Sequence, residues 1–450
     1  MKGTAYRTQN DVLKRAQEII GIPLREIDAS GRLATGKGAI GTVIEESWFG
    51  YSPNPKPEPD FPEAGVELKV TPYIHGKDGL RAKERLVCNI INYMEEYDRT
   101  FKTSSFWHKC NTMLLMSYEH RENVPKGDFR IDKAVLFSFP EEDLRIIEHD
   151  WETIMQKVRN GRAHEITEGD TLYLSACTKG ANASSVRKQP FSDILAKQRA
   201  YSLKSTYMTQ ILRKYIFGIE KDEHIIKDSN SLKHASFEEL LIQKLSPYYG
   251  KAQRELKQLF GIERFSKNLN DILLGKMLGI HGRIAQTDEF KKAGIVPKTI
   301  RVRRDGTIKE CMSFPPFDFI KLSQETEWEE SEFYNYLAPT KFLFVIFQAN
   351  ANGELVFERV QFWNIPVSDL EEVGRVWKRT VDTIRRGVVL HETKRGVSND
   401  LPKQSESRVA HVRPHAQDGQ DRAKLPDGRM MTKQCFWLNN TYIAEQIKEE

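Results

Sequence analysis

The run Pro59-Asp60-Phe61-Pro62-Glu63-Ala64-Gly65-Val66-Glu67-Leu68-Lys69 decides how this chain is read. The prolines and Gly65 close a loop, and residues 66–71 then read as a strand. Side chains along a strand alternate between faces, so Val66, Leu68 and Val70 are expected toward a core. Glu67, Lys69 and Thr71 share the opposite face. Asp60 lies on the loop just ahead, near enough in sequence to fold back beside Glu67. Pro53, Pro55, Pro57, Pro59 and Pro62 stiffen that loop and reduce the entropy lost in holding Asp60. Two hard oxygen ligands and a lysine are the smallest set that supports Mg2+-assisted hydrolysis of a phosphodiester. Alternating charges also suit the solvated face of an edge strand, so the triad alone is a weak signal. A third carboxylate strengthens it. Residues 38–49 read as a helix with Ile40, Val43, Ile44 and Trp48 in an apolar stripe and Glu45 on its border.

A chain of 450 residues has room for two or three domains, and its 39% apolar and 29% charged content is that of a soluble globular protein. The net charge of +5 excludes a strongly basic wrapper of nucleic acid, so DNA binding would need positive charge gathered in a cleft. No apolar stretch has the length of a membrane span, and the N-terminus has no secretory apolar region. The five cysteines are scattered without zinc spacing, which points to reduced thiols in a cytoplasm. There is no Walker-type loop, so ATP use is not expected. Gly36-x-Gly38-x-x-Gly41 imitates a dinucleotide fingerprint but lacks the strand that should precede it.

The chain echoes itself. Residues 16–22, Ala-Gln-Glu-Ile-Ile-Gly-Ile, match Lys257-Gln258-Leu259-Phe260-Gly261-Ile262, and the decisive run matches residues 289–298. Asp143-Leu144 precedes Trp151 by the distance that separates Asp369-Leu370 from Trp377, and turns ending in Gly161 and Gly387 follow. Four echoes in one order imply two domains, 1–226 and 234–450, with the boundary near the polar stretch 227–231. In the second copy Val296 replaces Glu67, Pro297 replaces Leu68, and Leu274 or Gly275 stands where Glu45 should be. Only Glu289 and Lys298 survive. One carboxylate holds Mg2+ poorly, so the second copy is expected to bind without cutting, or to serve as scaffold.

With these residues in view, the chain resembles the MutH-like endonucleases. It is most similar to the double-length type II restriction enzymes of the Sau-three-A family, which cut at GATC. The likeness to MutH rests on the Lys37-Gly38 helix with Glu45, on Asp60, Glu67-x-Lys69 and Thr103-Ser104-x-x-x-His108-Lys109. The likeness to the double-length enzymes adds Cys177-Thr178-Lys179-Gly180-Ala181-Asn182-Ala183-Ser184-Ser185 and Tyr201-Ser202-Leu203-Lys204-Ser205. Near the C-terminus it adds His411-Val412-Arg413-Pro414-His415 and Met431-Thr432-Lys433-Gln434.

This resemblance implies two tandem α/β domains of the restriction-endonuclease-like, PD-(D/E)xK type, each a mixed sheet flanked by helices. It implies that Asp60 and Glu67 bind Mg2+ with Glu45 in support, and that Lys69 and Lys109 orient the water and stabilise the phosphorane. One residue more than in MutH separates Glu45 from Trp48, so Glu46 is an alternative. Lys69 as a general base is another. Lys179 would read a guanine, where lysine donates to O6 and N7, or would contact phosphate. Tyr201, Ser202 and Lys204 would form the adjoining reading turn. Ser202 aligns with the tyrosine that MutH uses there, which leaves adenine-methylation sensing open. His411, Arg413, His415 and Lys433 occupy corresponding places in the second half, implying a second DNA site that acts as an effector. The two histidines lack a third ligand at zinc spacing. The implied activity is a double-strand cut at GATC leaving 5′-phosphate and 3′-hydroxyl ends, by a monomer or a DNA-bridged dimer. A methyl-directed nicking repair enzyme and a non-catalytic DNA-binding regulator are the alternatives.

Overall fold

The structure is a computed structural model that describes residues 6–29, 31–34, 38–52, 58–77, 79–180, 184–219, 222–263, 266, 268–393, 396–418 and 420–448. Lys37, Pro53, Pro55, Pro57 and residues 181–183 of the implied reading segment lie outside the described residues. The chain divides into two compact units. One comprises Met1–Leu240 with Gly282–Ile295, and the other Leu241–His281 with Val296–Glu450. The sequence reading assigns 282–295 to the second half. Within the first unit this segment is held by charge. Lys292 pairs with Asp143 at 2.6 Å and with Asp288 at 2.8 Å, and the Glu289 carboxylate accepts the Ile225 and Ile226 N–H groups.

The strands of the first unit are β1 (Glu67–Gly76), β2 (Gly79–Ala82), β3 (Leu86–Ile90), β4 (Met113–Glu119), β5 (Lys133–Phe137), β6 (Leu174–Thr178), β7 (Val186–Gln189), β8 (Ser192–Lys197) and β9 (Arg199–Leu203). One sheet has the order β2-β1-β4-β5 and is mixed: β1 and β4 run parallel with Glu67 opposite Met113, and the outer pairs are antiparallel. A strand buried on both faces reads as a continuous apolar run, and β4, Met113-Leu114-Leu115-Met116, does so. β1 is paired with β4 over Glu67–Tyr73 and with β2 only over Tyr73–Gly76, and it extends beyond the expected 66–71. A second sheet, β3-β9-β6, is antiparallel, and β7 and β8 form a hairpin between β6 and β9. Val12, Ala16, Ile40, Ile44, Phe61, Val66 and Leu114 pack in one core beneath the first sheet.

The second unit contains β10 (Val296–Val302), β11 (Met312–Ser313), β12 (Phe342–Ala349), β13 (Leu355–Trp363), β14 (Leu390–Thr393), β15 (Gly396–Asn399), β16 (Ala410–Pro414), β17 (Arg422–Lys424), β18 (Met430–Thr432) and β19 (Gln434–Leu438). Its topology follows the first. β10 and β12 are parallel with Val296 opposite Phe342, β12 and β13 are antiparallel, and β11-β19-β16 repeats the β3-β9-β6 order. Helix ends repeat as well. Ser104 caps Ser105–Cys110 by accepting the Trp107 N–H at 3.1 Å, and Ser331 caps Glu332–Leu337 through Tyr334 N–H at the same distance. In the long helices Glu141–Arg159 and Val367–Arg386, buried Asp143 and Asp369 accept hydrogen bonds from Tyr207 and Tyr442. The internal echo found in the sequence is thus a repeat of register, caps and buried pairs.

Candidate active site

The loop ahead of β1 folds back because Phe61 and Val66 bond each other's backbone, Phe61 N–H to Val66 O at 2.9 Å and Val66 N–H to Phe61 O at 3.2 Å. Gly65 closes this turn at φ +64°, where a side chain would be strained. The Phe61 ring anchors it, packed edge-on against Phe49, Tyr51 and Tyr6. Asp60 is thereby fixed by two reciprocal bonds. Its N–H donates to Glu67 Oε2 at 3.1 Å, and its Oδ2 accepts the Leu68 N–H at 3.0 Å.

The polar face of β1 is largely covered. Glu67 is 1% exposed, and its Oε1 takes Lys69 Nζ at 2.8 Å and Lys109 Nζ at 3.4 Å. Lys69 also donates to the backbone carbonyl of Cys88 on β3 at 3.2 Å. That acceptor carries no signature in sequence, because every residue has a carbonyl. Lys109 comes from the Ser105–Cys110 helix, so the two lysines approach one carboxylate oxygen from different elements.

Glu45 completes the acidic side. The expected helix 38–49 is α-helical only over Ala39–Val43 and continues as a π-turn over Ile44–Trp48, closed by Phe49 N–H to Ile44 O at 3.1 Å. A π-turn is how a helix absorbs one additional residue while keeping register on both sides. Burial, then the negative charges of Asp60, Glu67 and Glu46, raise Glu45 from 4.5 to about 7 against the opposing pull of Lys109. Glu46 is turned to Arg32 at 2.8 Å. Burial likewise raises Glu67, with Asp60 adding to it and Lys69 and Lys109 working against it. Burial would lower Lys69, yet Glu67 with Cys110 and Cys88 holds it above its ordinary value and charged.

Among the described residues no group of three or more His, Cys, Asp and Glu side chains forms a ready-made metal cage. The donor chemistry nevertheless fits a hard cation. Asp60, Glu67 and Glu45 repel one another across a partly dry space, and Mg2+ asks for only one or two carboxylates besides water and phosphate.

The implied reading residues divide by burial. Lys179 is exposed just beyond β6, its backbone tied to Gln198 by N–H to O at 2.9 Å. Tyr201, Ser202 and Lys204 are buried and offer no surface to a base here. The Tyr201 hydroxyl donates to Glu96, the Ser202 hydroxyl pairs with Ser175 at 2.9 Å, and Lys204 Nζ bonds the Thr171 carbonyl. In the second unit His411 is buried against Asn439 at 2.6 Å, and burial lowers it from 6.5. Exposed Arg413 lies 4.0 Å over the Trp437 ring, with His415 at 5.4 Å from the same ring. Lys433 pairs with Asp421 at 2.6 Å. Trp437 was not singled out from the sequence; its signal is the cross-strand register that sets it opposite His411. Lys298, the counterpart of Lys69, bonds only the Ser313 carbonyl among the described residues, and burial lowers it from 10.5 because Val296 supplies no charge.

A mixed sheet whose central strand opens on a buried glutamate, beside an aspartate, a second glutamate and two lysines, defines a nuclease of the restriction-endonuclease-like fold. The comparisons agree. A family model of the DNA mismatch repair enzyme MutH matches residues 49–150. The type II restriction enzyme Sau3AI of Staphylococcus aureus is 39% identical over 99% of this chain and 99% of its own length. DNA mismatch repair proteins MutH of Shigella flexneri and Escherichia coli are each 30% identical, over 46% of this chain and 93% of theirs. The chain belongs to the Sau3AI family of type II restriction enzymes.

Proposed function

We propose that the protein makes double-strand cuts in DNA at GATC, using Mg2+ held by Asp60, Glu67 and Glu45. The observation that carries this reading is the buried Glu67 carboxylate, gripped by two lysines and set against two further acids. When bound, the cation supplies Lewis acidity to the scissile phosphate and its attacking water. The chain's own residues do the rest. Lys69 is held as an ammonium, which suits orienting the nucleophile and countering phosphorane charge rather than removing a proton. Lys109 adds a second positive charge from the other side of Glu67.

Lys179 reads or positions the duplex at the end of β6. Arg413, set over the Trp437 ring, and His415, tilted against it, bind DNA in the second unit as an effector site. GATC as the sequence is supported by the likeness to GATC-cutting enzymes, and the double length favours restriction over methyl-directed nicking. No described helix is long and apolar enough to cross a membrane, and a cytoplasmic enzyme is the simplest setting for its free thiols.

Digestion of a plasmid in Mg2+, with the fragment ends sequenced, tests the activity. Asp60→Ala and Glu67→Ala should abolish cutting and retain DNA binding, and undiminished cleavage by either refutes the assignment. A one-site plasmid should be cut slowly and accelerate when a second GATC duplex is added. Equal rates remove the effector role.

A further inference from the structure

We propose that the Tyr201 hydroxyl is a positioning group that links the DNA-reading strands to the catalytic lysine Lys109, an inference that rests on the nuclease reading above. Tyr201 lies at the centre of β9, opposite Ala176 of β6, the strand that runs out to Lys179. Its hydroxyl donates to Glu96 Oε2 at 3.3 Å. The other oxygen of that buried carboxylate, Oε1, accepts the N–H of Ser105 at 3.0 Å. Ser105 is the first residue of the Ser105–Cys110 helix, and Lys109 follows about one turn later on the same side. A glutamate at a helix N-terminus satisfies an otherwise orphaned N–H and fixes the helix along its axis. Displacement of β6 and β9 on a base contact at Lys179 is thus carried through one carboxylate to the ammonium that approaches Glu67.

The second unit supplies a natural control. Register aligns Leu203 with Leu438 and hence Tyr201 with Phe436. Phe436 stacks on Phe333 at 4.3 Å, so the packing is kept without a hydroxyl. The helix anchor is kept too, because Glu325 Oε1 accepts the Glu332 N–H at 2.8 Å. Its other oxygen takes the indole N–H of Trp377 at 2.9 Å in place of a tyrosine. The capping glutamate therefore serves both folds. The hydroxyl link exists only in the unit that has a catalytic glutamate to serve.

The test is Tyr201→Phe in the full-length protein, a change to the residue that the other unit carries at this register. Losing one hydrogen bond to a charged acceptor should lower kcat on a GATC duplex by about tenfold. KM should be unchanged, the thermal midpoint should fall by a few degrees because a buried carboxylate oxygen loses its donor, and preference over a duplex altered at one base pair should fall by the same factor as kcat. Glu96→Gln should act in the same direction, and the double variant should lose no more than the larger single loss. Unaltered kcat, a rise in KM alone, or an equal loss on both duplexes overturns the proposal. Wild-type cleavage that Asp60→Ala abolishes checks the underlying nuclease reading separately.

Discussion

Replacing Glu45 with glutamine removes a carboxylate from the acidic cluster and keeps its shape, and the effect on stability has a definite sign. In the metal-free protein, burial first and then Asp60, Glu67 and Glu46 lift Glu45 from 4.5 to about 7. The folded state therefore holds a proton that the unfolded chain has released over this interval. Stability contributed by the protonated form is complete below the unfolded value and is lost as pH rises through about 7. Over that interval the linkage has a ceiling of roughly 3 kcal/mol. Glu45 is half-buried, and solvent screening reduces the figure to about 1–2 kcal/mol. Urea unfolding in the presence of a chelator, from about pH 5 to about pH 8, measures it. Glu45→Gln should gain about 1–2 kcal/mol on the wild type across that range. Divalent cation added at the alkaline end should then stabilise the wild type more than the variant. Parallel pH curves for the two proteins would refute the mutual repulsion of the three acids, and with it the argument that they suit a cation.

Lys109→Met should cut kcat by about a hundredfold or more in a plasmid-cleavage assay, the scale of losing one preorganised positive donor. Gly161→Ala should destabilise the protein by about 1–3 kcal/mol in thermal unfolding. Gly161 sits at φ +68°, and an added Cβ would meet the Phe191 carbonyl oxygen at 2.7 Å. Val296→Glu should give Lys298 the neighbour that Lys69 has and raise its titration, followed by NMR of labelled lysine side chains. Placed in a Glu67→Ala background it should restore no cleavage, because Leu274 and Gly275, the counterparts of Glu45 on the Leu269–Met277 helix, bring no carboxylate.

The amino-acid order carried the acidic run, the duplication and the loss of charge at Val296, because these are properties of residue type and spacing. Alternation along 66–71 was enough to place Glu67 and Lys69 on one face. Burial was not legible. A strand of alternating charge looks solvated until something covers it, and the cover here is β3 and the Ser105–Cys110 helix, which reach Glu67 through Lys69 and Lys109. Spacing from Lys37 and Gly41 favoured Glu45 over Glu46 but could not say where either side chain would turn. A π-turn, which depends on backbone hydrogen bonds over a whole turn, directs one to the acids and the other to Arg32. Tyr201, Ser202 and Lys204 read in sequence as a polar turn, yet pairing between β3, β6 and β9 encloses all three.

Composition and pattern by themselves determined the chemistry available to this protein: hard oxygen donors, lysines, and a sister half without its glutamate. Only the tertiary structure decided which of those groups meet, which are buried, and which are held charged. Those outcomes depend on segments distant in the chain that exclude water from one another's polar atoms, and no local stretch of sequence encodes that exclusion.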